Sequence, residues 1–229
     1  NFRCPYCHNP ELVDPDRFTT VWPEERVMDE IAARRGRLQG VVISGGEPTL
    51  QEDLAAFIRK VRSLGFAVKL DTNGSNPDVM ERLLSDGLLD HVGLDVKAPP
   101  GSYAALTRSG IPPNTITRSI AAVLASGVDH EMRTTWLPSL LSRADLLEIA
   151  GMVRGCRRWV IQRFVPSKNL DPAMLTERSP DDASLVEALR NLGEGIGKLL
   201  PCMLVGIVDL EADEPILVLN LKQTIAPRV

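Results

Sequence analysis

The fold is decided by the stretch Val41-Val42-Ile43-Ser44-Gly45-Gly46-Glu47-Pro48. Its first half is a short apolar run with the length and composition of a buried strand. Two adjacent glycines follow, and the segment from Gln51 to Leu64 then repeats apolar residues at helical spacing until Gly65, which is a typical helix stop. A buried strand followed at once by an amphipathic helix indicates a parallel βαβ unit.

The same alternation continues along the chain. Further strands are predicted at Phe66 to Leu70, His91 to Val96, Asp129 to Trp136, Trp159 to Phe164 and Met203 to Val208. Helices are predicted at Pro77 to Ser85, Asn114 to Ser126, Arg143 to Arg154 and Ala183 to Leu200. We therefore expect an α/β fold, a partial (β/α)6 TIM-like barrel of parallel strands whose first strand is missing from this chain.

The composition is that of one globular domain, which we expect to span residues 1–229, with a less regular segment at 210–229. The segment Leu217 to Leu221 is predicted to be an edge strand or a docking segment. A net charge of −4 gives no field that would attract nucleic acid or an anionic membrane, and no apolar run approaches the ~20 residues of a membrane span. The cysteines are Cys4, Cys7, Cys156 and Cys202, a poor disulfide framework, so we expect a cytoplasmic protein.

Polar residues collect at the predicted strand ends, where parallel α/β folds place their ligands. They are Asp71-Thr72-Asn73-Gly74, Asp95-Val96-Lys97, Arg133 and Gln162 on successive strands after Gly45-Gly46-Glu47. Singly, each has a simpler explanation as a turn or an ion pair. Together they suit a zwitterionic ligand that carries a ribose, because a glycine backbone can approach an ammonium group and a cation can bind a carboxylate.

Three roles are open for the N-terminal pair in Cys4-Pro5-Tyr6-Cys7. A C-x2-C pair suits a thiol–disulfide active site, and it also suits half of a zinc site. If a cysteine preceded Asn1, the run would instead be a three-thiolate loop for a [4Fe–4S] cluster with one open iron.

The order of these motifs resembles the radical S-adenosylmethionine (SAM) superfamily. Within it, Cys7-His8-Asn9, Asp71-Thr72-Asn73-Gly74 and Asp95-x-Lys97 are similar to the activases of glycyl-radical enzymes. The full run resembles the long form of the anaerobic ribonucleoside-triphosphate reductase activating proteins, from Asn1 to about Pro172. The superfamily's first cluster cysteine would fall one residue before Asn1. We therefore interpret the chain as truncated at its N-terminus and do not expect it, as written, to hold a competent cluster.

The resemblance implies a function and a set of site residues. A [4Fe–4S] cluster would bind SAM, cleave it reductively, and lead to a glycyl radical on a partner, anaerobic ribonucleotide reductase, with flavodoxin or ferredoxin as electron donor. Cys4 and Cys7 would be cluster ligands and Tyr6 would pack beside the cluster. Gly45, Gly46 and Glu47 would hold the methionine amino group. Further SAM contacts would come from Asp71, Asn73, Lys97 and, from their strand positions, Arg133 and Gln162.

Four alternatives remain open at this point. The nearest are pyruvate formate-lyase activating enzyme and another radical SAM maturase, although the chain has no cysteine-rich insert for auxiliary clusters. A glutaredoxin-like oxidoreductase would need a helix of several turns after Cys4, and Pro10 and Pro15 disfavour one. A zinc module would need a second pair of ligands at finger spacing, and His8, His91 and His130 do not supply it.

Overall fold

One parallel sheet organises the part of the chain that the computed structural model describes, which is residues 1–18, 22–181, 183–188 and 217–220. Its strands are β1 (Gly40–Ser44), β2 (Ala67–Thr72), β3 (His91–Asp95), β4 (Asp129–Trp136), β5 (Trp159–Arg163) and β6 (Leu217–Asn220). They lie in the order β5-β4-β3-β2-β1-β6, and every neighbouring pair is parallel. The predicted α/β fold of parallel strands is therefore confirmed.

Helices lie before β1 and between the later strands. They are α1 (Pro10–Val13), α2 (Glu24–Ala32), α3 (Leu54–Ser63), α4 (Pro77–Ser85), α5 (Pro100–Thr107), α6 (Asn114–Ser126) and α7 (Arg143–Met152). Short 3-10 helices lie at Pro15–Arg17, Pro48–Leu50 and Pro172–Thr176, and residues 183–188 are also helical. Local sequence sets several of these boundaries. At α7, for example, Ser142 and Asp145 form a reciprocal capping box that satisfies the first free N–H groups.

The two faces of the sheet differ in chemistry. Ile43, Leu70 and Val92 occupy one cross-strand row and are each 0% exposed, so each contributes about 1.5–3 kcal/mol through burial. Successive side chains on a strand point to opposite faces, so the alternate positions on β2 to β4 form a second set. That set is mostly charged and includes Lys69, Asp71, Asp95, Glu131 and Arg133, together with His91 and Gly93.

Most predicted boundaries agree with the structure to within two residues, and α4, α6 and β4 span the predicted residues. β2 runs on to Thr72, so Asp71 lies within a strand and does not begin a turn. The segment at Leu217 is a strand, β6, which pairs with β1 and is outermost among the described strands, as the edge-strand alternative predicts. The predicted strand at Met203 to Val208 lies outside the described residues. None of the described helices is long and apolar enough to cross a membrane.

Candidate active site

A cavity of about 270 Å³ lies at the carboxyl ends of the strands. Among its lining residues are all ten predicted site residues, Cys4, Tyr6, Cys7, Gly45, Gly46, Glu47, Asp71, Asn73, Lys97 and Arg133, together with Gln162. Parallel strands bring their carboxyl ends to one edge of a sheet, which is why residues far apart in the chain meet here. The volume is near the lower end of the ~300–1,000 Å³ typical of small-ligand sites.

The cysteine loop, residues 4–7, forms one wall of the cavity. It is a turn in which the Cys7 N–H donates to the Cys4 carbonyl at 3.0 Å. Cys4 is buried and Cys7 is partly exposed. Burial raises the pKa of the Cys4 thiol, although the positive charge of Lys97 partly opposes that shift. Tyr6 is also buried, and burial raises the pKa of its phenol well above the ordinary value.

The end of β1 supplies the glycine pair and Glu47. Gly45 has a φ of +147°, a conformation that residues with a side chain rarely adopt, so the sequence needs glycine here. Without a side chain at Gly45 or Gly46, a ligand can approach the backbone closely. The adjoining Ser44 also lines the cavity.

Glu47 ties the end of β1 to the end of β2. Its Oε1 accepts hydrogen bonds from Thr49 N (3.1 Å), Thr49 Oγ1 (2.6 Å) and Thr72 Oγ1 (2.7 Å). Its Oε2 accepts one from Asn73 N at 2.7 Å. The side chain is only 2% exposed, and burial raises the pKa of Glu47 despite these bonds. The geometry thus gives the carboxylate a positioning task, since both of its oxygens already bind protein groups.

Arg133 joins two aspartates across the sheet. Its Nη1 lies 3.0 Å from Asp71 Oδ1 on β2, and its Nε lies 2.9 Å from Asp95 Oδ1 on β3. Burial alone would lower the pKa of Arg133, but the charges of Asp95 and Asp71 outweigh it and raise the pKa. Burial would likewise raise the pKa of Asp95, yet Arg133 and Lys97 hold it below its usual value. The fork of one guanidinium therefore fixes both carboxylates.

Lys97 follows β3 and lines the same cavity. Its Nζ lies 3.2 Å from Asp95 Oδ2. Burial alone would lower the pKa of Lys97, but the charge of Asp95 overcomes that effect and raises the pKa well above its usual value. The ammonium is therefore charged, and it has three N–H donors, which leaves donors available for a ligand carboxylate.

Gly93 is a functional position that the motif analysis did not single out. A Cβ built on it would overlap Asp71 Oδ1 and would lie 2.9 Å from Arg133 Nη1. The ion pair between β2 and β4 thus passes over β3 at the place where β3 has no side chain. A lone glycine inside a strand pattern is itself a signal of such a close approach, so the sequence did contain a clue.

The thiols fit a cluster only in part. Cys4 and Cys7 line the cavity, whereas Cys156 follows α7 and is not among the lining residues. In the described portion of the chain, no group of three or more His, Cys, Asp or Glu residues could hold a metal ion. A three-thiolate cluster would therefore need one cysteine besides these two. The same finding offers no support for a zinc module, and the four-residue length of α1 does not support a glutaredoxin-like helix.

Comparisons with known proteins identify relatives of this chain. A model of the radical SAM superfamily matches residues 1–150. A candidate glycyl-radical enzyme activating enzyme of Methanocaldococcus jannaschii is 34% identical over 193 residues, covering 82% of this chain and 78% of its own length. A candidate GTP 3′,8-cyclase of Pyrococcus horikoshii is 33% identical over 96 residues, covering 42% of this chain but 30% of its own length.

A solved structure shares the fold. The crystal structure of Streptococcus suis SuiB bound to S-adenosylmethionine matches with a TM-score of 0.68 at 14% identity. The match covers 91% of this chain and 48% of SuiB, so the chain spans about half the length of that protein. At this identity the likeness shows the fold alone. Since the family model matches more than half of the sequence, the chain belongs to the radical SAM superfamily.

Proposed function

We propose that the protein is a radical SAM activating enzyme that generates a glycyl radical on a partner enzyme. The observation that carries the proposal is the meeting of the cysteine loop, the glycine pair and the charged residues Asp71, Asp95 and Lys97 in one cavity. A thiol pair alone, or a charged pocket alone, has several uses. The combination suits a cluster beside a zwitterionic nucleoside ligand.

The chain's own residues would bind and orient SAM. The backbone at Gly45 and Gly46 would receive the methionine ammonium group, because no side chain blocks it. The Lys97 ammonium would bind the carboxylate as a point charge, and Asp71 and Asn73 would contact the ribose hydroxyls or the amino group. We assign the carboxylate to Lys97 because Arg133 is already shared by Asp71 and Asp95.

The cluster would be held by Cys4, Cys7 and one further thiolate, with Tyr6 packed beside it. When bound, such a cluster supplies the electron that cleaves SAM into methionine and a 5′-deoxyadenosyl radical. The protein's contribution is orientation and exclusion of side reactions. Cys4 and Tyr6 are 4% and 6% exposed, so this part of the wall is shielded from bulk solvent.

For the partner we propose anaerobic ribonucleotide reductase, with flavodoxin or ferredoxin as the electron donor. The resemblance to the activating proteins of that reductase supports this choice. The Methanocaldococcus jannaschii relative supports the broader assignment to activases, since its name gives it that role. Pyruvate formate-lyase activating enzyme and another radical SAM maturase are the alternatives. The similarity to a candidate GTP 3′,8-cyclase supports the maturase alternative.

The first experiment tests radical SAM chemistry. The full-length product of the gene is reconstituted anaerobically with iron and sulfide, given reductant and SAM, and assayed for 5′-deoxyadenosine by chromatography. Cys4→Ser and Cys7→Ser should abolish the product, whereas Cys156→Ser, a buried thiol away from the cavity, should retain it. Product that survives Cys7→Ser, or no product from a loaded wild-type protein, would contradict the proposal.

A second experiment tests how SAM is held. Lys97→Met should raise the KM for SAM by about tenfold or more, because a hydrogen bond to a charged group contributes ~1.5–3 kcal/mol. Lys60→Met is the control, since Lys60 forms a surface ion pair with Glu24 and is not among the cavity residues. Equal changes in the KM for SAM in the two variants would show that Lys97 does not bind SAM.

The third experiment tests the partner. The active protein is mixed with anaerobic ribonucleotide reductase or with pyruvate formate-lyase, and the glycyl radical is sought by electron paramagnetic resonance. A signal on the reductase is expected. Cleavage of SAM with no signal on either enzyme would refute the activase proposal and leave the maturase alternative.

A further inference from the structure

The cysteine loop is held by a segment that belongs to none of the sequence motifs. We call residues 165–171, which follow β5, the strap. The Leu170 N–H donates to the Cys7 carbonyl at 2.9 Å, and the Asp171 N–H donates to the Pro5 carbonyl at 3.0 Å. The strap therefore forms backbone hydrogen bonds with Pro5 and Cys7, the residues on either side of Tyr6.

Asn169 completes this contact with its side chain. Its Nδ2 donates to the Tyr6 carbonyl at 3.2 Å, and the residue is 5% exposed. Its Oδ1 is buried and has no hydrogen-bond partner among the described residues. A buried amide with an unpaired oxygen lowers stability, so the presence of asparagine here calls for a reason other than stability. The bond to the cysteine loop supplies one.

The residue just before the loop is held as well. The Arg3 N–H donates to the Thr107 carbonyl at the end of α5, at 2.8 Å. The next residue, Arg108, forms an ion pair of 2.6 Å with Asp171 of the strap. That ion pair is exposed and contributes little by itself, but it joins the end of α5 to the strap.

We propose that Asn169 is a positioning residue that fixes the cysteine loop in the geometry needed for a cluster. Three consecutive carbonyls, those of Pro5, Tyr6 and Cys7, accept hydrogen bonds from the strap, so the loop conformation is set before any ligand arrives. The proposal deepens the proposed function and rests on it for the role of the two thiols. The hydrogen-bonding device itself can be tested without SAM or a cluster.

The test measures thiol accessibility in the full-length protein prepared without iron. Wild type, Asn169→Asp and Ser167→Ala are treated with N-ethylmaleimide under native conditions, and labelling is quantified for each cysteine peptide by mass spectrometry. Asp keeps the size of Asn but replaces the N–H donor by an acceptor that faces the Tyr6 carbonyl. Ser167 is an exposed neighbour on the strap and serves as the matched control.

Cys4, buried in the native state, should be labelled on the order of tenfold faster in Asn169→Asp, because loss of one buried hydrogen bond favours local opening of the loop. Cys156 is an internal control, since it is equally buried but lies away from the strap. Its labelling should not change. Ser167→Ala should behave as wild type at both positions.

Two results would overturn the proposal: unchanged labelling of Cys4, or an equal increase at Cys4 and Cys156, which would indicate general destabilisation. If Asn169→Asp does not fold, Asn169→Ser replaces it, because the serine side chain is too short to reach the Tyr6 carbonyl and adds no charge. The same comparison of Cys4 with Cys156 then applies. After reconstitution, the variant that passes this test should also lose iron to a chelator several-fold faster than wild type. Failure of the SAM-cleavage experiment would leave the labelling result intact, so the two proposals can fail separately.

Discussion

Gly93→Ala tests whether the ion pair over β3 determines the architecture of the site. The new methyl group would overlap Asp71 Oδ1 and would lie 2.9 Å from Arg133 Nη1 and 3.0 Å from Arg133 Cζ. Because the side chains of Asp71 and Arg133 are only 18% and 14% exposed, they cannot move into solvent freely. Either the ion pair is pushed apart or the strands shift.

The magnitude follows from two opposing contributions. Inserting a methyl group into a packed site costs about 1–3 kcal/mol, and weakening a largely buried ion pair adds to that cost. Replacing glycine by alanine stabilises the folded state by about 0.5–1 kcal/mol, because the unfolded chain then loses less conformational entropy on folding. We expect the free energy of unfolding to fall by about 1–3 kcal/mol, measured by urea unfolding with the fluorescence of the buried residues Trp136 and Trp159.

A control and a double-mutant cycle make the prediction specific. Gly101→Ala in α5 is the control, because a Cβ there meets nothing within 4 Å, and it should leave stability unchanged or raise it by up to about 1 kcal/mol. In an Asp71→Ala background the cost of Gly93→Ala should shrink, since the overlapping oxygen is gone and Arg133 is held by Asp95 but no longer by Asp71. An unchanged cost in that background, or no cost in the wild type, would refute the reasoning.

Three further predictions concern the frame of the site. Thr134→Val should lower the free energy of unfolding, measured with urea, by about 1–3 kcal/mol. The buried Thr134 hydroxyl donates to the Val96 carbonyl (2.7 Å) and accepts from Trp159 Nε1 (2.9 Å). Thr134→Ser keeps the hydroxyl and should therefore retain most of the wild-type stability. Asp95→Asn should be less stable than wild type at neutral pH. Because the pKa of folded Asp95 is held below the usual 3.8, its ionised form stabilises the fold above that pH, and the difference between the two urea midpoints should close as pH falls through the lowered pKa. Glu47→Gln should lower the free energy of unfolding by about 1–3 kcal/mol, because the Asn73 N–H would face an amide NH₂ in place of an oxygen. Glu52→Gln is the control at an exposed position, and its free energy of unfolding should stay within about 0.5 kcal/mol of wild type in the same assay.

The strands and the location of the cavity could be predicted because they depend on local patterns. Val41 to Ser44 is a continuous apolar run, and Asp129 to Trp136 comes directly after a helix that stops at Gly127, so both strands can be predicted. Once the strands were known, the edge on which their polar ends meet followed from the parallel topology. Cys4 and Cys7, far from β1 to β4 in sequence, joined the site only through their resemblance to a family.

The tasks of individual side chains could not be predicted because they depend on distances between strands. Nothing in the motif distinguishes a free carboxylate at Glu47 from one that accepts hydrogen bonds from Thr49, Thr72 and Asn73. Arg133 is predicted as a ligand contact and lines the cavity, but the sequence gives no sign that its guanidinium also lies between two aspartates. The strap contact of Asn169 has no local pattern at all, since it joins residues separated by most of the chain.

The pairing of β6 with β1 has a consequence for synthesis of the protein. β6 is the last described strand in the chain, yet it pairs in parallel with the first, from Val41 opposite Leu217 to Ser44 opposite Asn220. Nascent chains leave the ribosome N-terminus first, so the outer edge of β1 is made long before this partner. Among the described strands only β6 covers this edge, so until β6 pairs, the backbone groups and the valine-rich sequence of β1 are a template for incorrect pairing with other chains. The edge of β1 is therefore where a chaperone would protect the nascent chain, and where loss of residues 217–220 would lead to aggregation.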